Sequence, residues 1–133
     1  MSQENVDCLR RAVEVGNAGD LEALAALYDP DVEMRDLQHP PDFPEVLQGR
    51  EAVVAAWGHW LEALGDWRVD VEEYVDADPW VVCDMRWRAT GKGSTASIDW
   101  RVTDAFKVAN GRIVRQIAGF PDVAAALREI GTA

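Results

Sequence analysis

The chain is short of positive charge. Against 24 Asp and Glu stand 13 Lys and Arg, a formal net charge of -11. A surface of that sign repels phosphate backbones and anionic headgroups, which argues against nucleic acid and membrane as partners. Long apolar runs are missing too: none is longer than Ala52–Trp57, far too short to cross a bilayer. The opening MSQENVDCLRR lacks the basic-then-apolar order of a secretory leader, so a cytoplasmic location is expected. Cysteine is scarce. Cys8 and Cys83 fall on an expected helix and an expected strand, and two buried free thiols are favoured over a disulfide. The two histidines, His39 and His59, make no ligand spacing with any neighbour, so neither a metal nor another cofactor is expected. No Ser-His-Asp or Cys-His arrangement emerges from the spacing either.

The 133 residues, 48% of them hydrophobic, suffice for one domain with its own core. Residues 3–16 predict a helix with Val6, Leu9, Val13 and Gly16 on one face, broken by Asn17-Ala18-Gly19. Asp20 is placed to cap a second helix, Leu21–Tyr28, which Asp29-Pro30 ends. A short strand, Asp31–Leu37, puts Val32, Met34 and Asp36 on one parity. Gln38–Gln48 holds Pro40, Pro41 and Pro44 and reads as an irregular loop, of a length that commonly covers something. A third helix, Arg50–Leu64, aligns Val53, Ala56, Trp57, Trp60, Leu61 and Leu64, with Gly65 as its terminator.

Strands follow. Trp67–Asp76 offers Trp67, Val69, Val71 and Val75 as its apolar set, and Trp80–Thr90 offers Val81, Cys83, Met85, Trp87 and Ala89. Gly91-Lys92-Gly93-Ser94 is a turn into Ser97–Val108. Asn110-Gly111 is a hairpin signal leading into Arg112–Phe120. Pro121-Asp122 then opens a terminal helix, Val123–Ile130. Three helices in the first half and a run of short-turn strands predict an α+β domain. Its curved antiparallel sheet wraps on the helices by one face and leaves the other free for a partner.

Ser97–Val108 breaks its own pattern once. Ile98, Trp100, Val102, Phe106 and Val108 share a face, and Asp104 lies among them. A carboxylate there is satisfied by a partner, protonated, or lining a cavity. We read it as lining a cavity. Six tryptophans support that reading, since Trp57, Trp60, Trp67, Trp87 and Trp100 all take inward positions. Walls of this kind suit a flat, hydrophobic, multi-ring small molecule.

The runs NAGDLEALAALYDPDVE at 17–33, LQGREAV at 47–53 and FKVANGRIV at 106–114, with the short helix after Phe120-Pro121-Asp122, resemble the nuclear transport factor 2-like superfamily. Within it they are similar to the SnoaL-like polyketide cyclases and ketosteroid isomerases. The resemblance implies a cystatin-like cone, and a homodimer through the outer sheet face is expected. It also implies roles. Asp36 falls where the isomerases hold a proton-shuttling carboxylate, and Asp104 where a protonated acid donates to the substrate oxyanion. The tyrosine donor of their first helix falls at Ala12, so that part of the oxyanion hole is lacking.

The expected site thus pairs Asp36 and Asp104 as catalytic groups, walled by Trp57, Trp60, Trp87 and Trp100. Phe106 and Phe120 stand near its mouth, with His39 and Phe43 on the proline loop. The expected function is proton transfer next to a carbonyl, with a non-catalytic ligand-binding or dimerisation module as the alternative. A third reading starts from Asp84, Arg86 and Arg88, similar to the Asp-Arg-Asp set of limonene-epoxide hydrolases. By parity those charges face away from Cys83, Met85 and Trp87, which favours surface ion pairs or a dimer contact.

Overall fold

The computed structural model describes residues 2–39, 41–91 and 97–131, so the predicted turn at 91–94 lies largely outside the described residues. Four helices and six strands follow in the order α1 (Ser2–Asn17), α2 (Leu21–Ala26), β1 (Tyr28–Asp36), β2 (Val46–Gln48), α3 (Arg50–Ala63), β3 (Leu64–Ala77), β4 (Trp80–Gly91), β5 (Ser97–Ala109), β6 (Arg112–Phe120) and α4 (Val123–Glu129). The strands form one curved, unclosed sheet in the order β2-β1-β6-β5-β4-β3. It is antiparallel except where β1 runs parallel to β6. The α+β class and the placing of the helices are as the sequence predicts.

Local chemistry accounts for the boundaries. The Asp20 and Asp122 carboxylates accept the backbone N–H of Ala23 and Ala125, capping α2 and α4. Asn110 and Gly111 both take positive φ, as a tight hairpin turn demands. Asn17 does more than break α1. Its side-chain amide donates to the Val69 carbonyl at 2.8 Å and accepts the Val69 N–H at 2.9 Å, tying the helix to the edge strand β3.

Four expectations change. Tyr28 does not end α2 but opens β1, where its ring is fully buried. The proline loop is not irregular throughout: Val46–Gln48, beyond Pro44, pairs antiparallel with Glu33–Arg35 as an edge strand. Gly65 does not terminate α3, because Leu64 already turns extended and pairs with Gly91. On β3 a register shift between Val71 and Glu73 reverses the side-chain parity. Tyr74 therefore faces Cys83 on the inner side, and Val75 goes to the outer side with Val82.

The main core lies between the inner sheet face and the first three helices, with Leu9, Leu24, Val53, Val81 and Ile113 at its centre. The outer face is not wholly free. A second cluster, Trp80, Val82, Ala105, Ile117, Phe120 and Ala126, packs beneath α4. The rest of that face is a ladder of cross-strand ion pairs. Arg86 grips Asp99 with two hydrogen bonds of 2.8 Å, Arg101 reaches Asp84 at 2.7 Å, and Arg88 reaches Asp70 at 3.1 Å.

Candidate functional site

The inner face of the sheet does not meet α3 everywhere. Between α3, the proline loop and the sheet centre lies a pocket of about 300 Å³. Its apolar wall belongs to a stack of indoles, of which Trp57, Trp87 and Trp100 face the pocket and Trp67 lies behind. Trp87 of β4 lies 5.5 Å from Trp57, 5.7 Å from Trp67 and 5.9 Å from Trp100 between ring centroids, each pair within 25° of parallel. Register explains the stack: Trp87 is opposite Trp100 on β5 and Val69 on β3, and α3 delivers Trp57 from above. At the mouth, Phe43 of the loop stacks on Trp60 and meets His59 edge-on. Trp60 and Trp100 stay about two-fifths exposed, at 41% and 38%.

The polar end is built around β6. Asp36 of β1 is registered with Ala118 on one side of that strand. Asp104 of β5 faces it from the other side, where the ladder slips between Thr103 and Ala105. The slip leaves Gly119 bulged at φ +96°, a conformation that suits glycine. Its N–H donates to Asp104 Oδ1 at 3.1 Å. Gln116 Nε2 donates to Asp104 Oδ2, also at 3.1 Å. Asp36 Oδ1 accepts the N–H of Gln38 at 2.9 Å, and the Gln38 side chain donates to the Gly119 carbonyl at 3.0 Å.

Burial dominates the electrostatics of Asp104. It pushes the carboxyl up to about 7, against the opposing pull of the Gly119 and Gln116 hydrogen bonds, and the nearby Asp36 charge adds to the rise. A carboxyl raised this far is suited to give or take a proton near neutrality. Asp36 is half-buried and lines the same pocket. No Lys, Arg or His lines it among the described residues, so its only formal charges are acidic.

Of the residues the sequence proposes, Asp36, Asp104, Trp57, Trp60, Trp87, Trp100 and Phe43 converge on this pocket. Three do not. His39 sits outside it, its Nδ1 at 2.9 Å from the Phe43 carbonyl, where it organises the loop. Phe106 lies deeper, against a small apolar gap of about 50 Å³ that Ala12 also lines. Phe120 points to the outer cluster under α4, because the bulge before it changes which face it takes. Asp84, Arg86 and Arg88 belong to the outer ion-pair ladder, remote from the pocket.

Sequence reasoning missed Tyr28 and Gln116. The Tyr28 hydroxyl donates to Gln116 Oε1 at 3.0 Å, and the Trp57 indole N–H reaches the same hydroxyl at 3.4 Å. Gln116 is 1% exposed. A glutamine amid the apolar residues of β6 was the available signal, since a buried amide needs partners. Cys8 and Cys83 are free and buried. Among the described residues no cluster of His, Cys, Asp and Glu could hold a metal, and no helix is long and apolar enough to cross a membrane.

A search of curated protein sequences found no match. Solved structures match in fold. Bal32a, from a soil-derived mobile gene cassette, is 23% identical over 94% of this chain and 95% of its own, with a TM-score of 0.79. TerC, co-crystallised with polyporic acid, is 17% identical over 96% and 98%, with a TM-score of 0.75. A computationally designed 17-OHP binder is 17% identical over 92% and 93%, with a TM-score of 0.73. A family model for the SnoaL-like domain matches residues 9–116, and the chain belongs to that family, within the nuclear transport factor 2-like superfamily.

Proposed function

We propose that the protein binds a flat, uncharged, hydrophobic carbonyl compound in this pocket and moves a proton at the carbon next to the carbonyl. The observation that carries the reading is the placing of two carboxylates at one end of an indole-walled pocket, on opposite sides of β6. Asp36 is the base. One of its oxygens is held by Gln38 N–H, and the other has no hydrogen bond from the described residues. Asp104 in its protonated form is the donor to the oxygen that gains charge as the carbon loses its proton. The stacked indoles take the ring system and keep water from the reacting end. With two acids and no cation in the lining a ligand carboxylate would meet repulsion, and the apolar indole wall takes an uncharged ring system. The fold relatives include TerC, co-crystallised with polyporic acid, and a designed 17-OHP binder, which agrees with a small-molecule role for this pocket.

The test is deuterium exchange. Wild-type protein in heavy water, incubated with steroid and polycyclic aromatic ketones, is expected to speed uptake of deuterium at enolisable carbons, read by NMR. Asp36→Asn keeps binding and loses the exchange. A panel that binds without any exchange overturns the catalytic reading.

The second reading, a binding module without chemistry, has its own observation. Ala12, where the resemblance puts a first-helix donor, lines a separate apolar gap, so a ligand oxygen beside Asp104 gains no second donor from that helix. Binding without exchange selects this reading.

A further inference from the structure

Behind Asp104 runs a chain of hydrogen bonds that starts at an indole, a group that can only donate. Trp57 Nε1 donates to the Tyr28 hydroxyl at 3.4 Å, and the hydroxyl donates its own proton to Gln116 Oε1 at 3.0 Å. With its oxygen engaged in this way, the Gln116 amide turns its NH₂ to Asp104 Oδ2. Gly119 N–H occupies the other carboxyl oxygen. Each oxygen of Asp104 thus receives one N–H from the protein, and the lone pairs left over are the ones available to a ligand or a proton.

We propose that Tyr28 and Gln116 are positioning residues: the Trp57–Tyr28–Gln116 chain fixes the amide so that it donates to Asp104, which holds the carboxyl in place and favours its ionised form. The inference rests on the reading of Asp104 as the pocket acid, but it concerns only the state of that carboxyl. The titratable groups that act on Asp104 from the packed elements are Asp36 of β1, Cys83 directly opposite on β4, and Tyr28 itself. Burial pushes the thiol and the phenol far above their ordinary ranges, so both stay neutral, and among the described residues Asp36 is the charge that acts on Asp104. Because Asp36 stays in every variant below, its influence is common to all of them.

The experiment follows the Asp104 carboxyl carbon by NMR in aspartate-labelled protein, with Asp104→Asn to assign the signal. Gln116→Met removes the donor. Tyr28→Phe removes the group that orients it, and a freed amide can present its oxygen to the neutral acid. Both variants are expected to move the Asp104 titration upward, by about one pH unit for a lost charge-assisted hydrogen bond. Because a buried tyrosine variant can fail to fold, 3-fluorotyrosine is also incorporated in a Tyr74→Phe background, leaving Tyr28 as the sole tyrosine. The fluorinated phenol donates more strongly and should move the titration down. An Asp104 titration that stays in place in folded Gln116→Met, or with fluorotyrosine, overturns the proposal. None of these readings depends on turnover, so failure of ketone exchange leaves them intact, and their failure leaves the exchange result intact.

Discussion

Asp36 and Asp104 meet at Gly119 from opposite sides. The glycine N–H donates to Asp104 at 3.1 Å, and a Cβ built on the same residue would lie 3.5 Å from Asp36 Oδ1. That Cβ would also stand 3.1 Å from Gln38 Cγ and 3.3 Å from the Gln38 backbone nitrogen. The glycine is required twice over, by its φ of +96° and by this crowding. Gly119→Ala is expected to lose about 1–3 kcal/mol, the scale of forcing a side chain into that backbone region. Urea unfolding measures the loss. A variant as stable as wild type would mean that the bulge relaxes freely.

Asp104 makes stability depend on pH in an unusual direction. Its folded value near 7 lies above its ordinary one, so the folded state holds a proton that the unfolded chain gives up near pH 4. The group's contribution is fully present below the unfolded value and is lost as pH rises through the folded one. The unfolding free energy of wild type relative to Asp104→Asn should therefore fall by about 1.4 kcal/mol per pH unit between pH 4 and 7 and level off above. Thermal or urea unfolding across that range gives the slope. A flat difference would place the Asp104 carboxyl in its ordinary range.

How far the site was legible in the chain follows from the sheet's regularity. β4 and β5 pair without a slip from Trp80 to Thr90, so simple alternation sent Trp87, Trp100, Val102 and Asp104 to one face. Where the ladder slips, alternation misled. The shift after Val71 sent Val75 outward, and the one opposite Asp104 sent Phe120 under α4. A bulge adds one residue without a composition signal; the adjacent Glu72 and Glu73 were the only hint on β3. Tyr28 was lost for a different reason. It extends the helical pattern of Leu24 and Leu27, and what makes it a strand residue is non-local: its pairing with Ile113 and the contacts of its hydroxyl with Gln116 and Trp57.

The tip of the proline loop is seated against α3 by the Phe43 ring, beside the backbone pairing of β2 with β1. Phe43 lies 6.3 Å from Trp60 and 5.1 Å from His59 between centroids, while its carbonyl sits against His39. Phe43→Ala removes an aromatic contact worth about 1 kcal/mol. Amide hydrogen exchange in the described residues 41–48 should quicken severalfold, while β4 and β5 stay as protected as before. Unchanged exchange would show that pairing of β2 with β1 alone holds the loop.

The two ends of the indole stack should separate ligand binding from folding. Trp87 is buried and touches three other indoles, so Trp87→Ala removes the centre of the stack and should cost about 3–5 kcal/mol. Trp100 is 38% exposed and meets Trp87 at the pocket wall, so its removal leaves most of the core contacts in place. Trp100→Ala should therefore lower stability far less than Trp87→Ala. If the pocket takes flat ligands, the same variant should weaken a planar aromatic ketone by about tenfold, the scale of one lost stacking contact of 1–1.5 kcal/mol. Isothermal titration with such a ketone, beside a thermal melt, reads both quantities on one sample. Full affinity in Trp100→Ala would take the exposed indole out of the binding wall and leave the inner pair, Trp57 and Trp87, to hold the ligand.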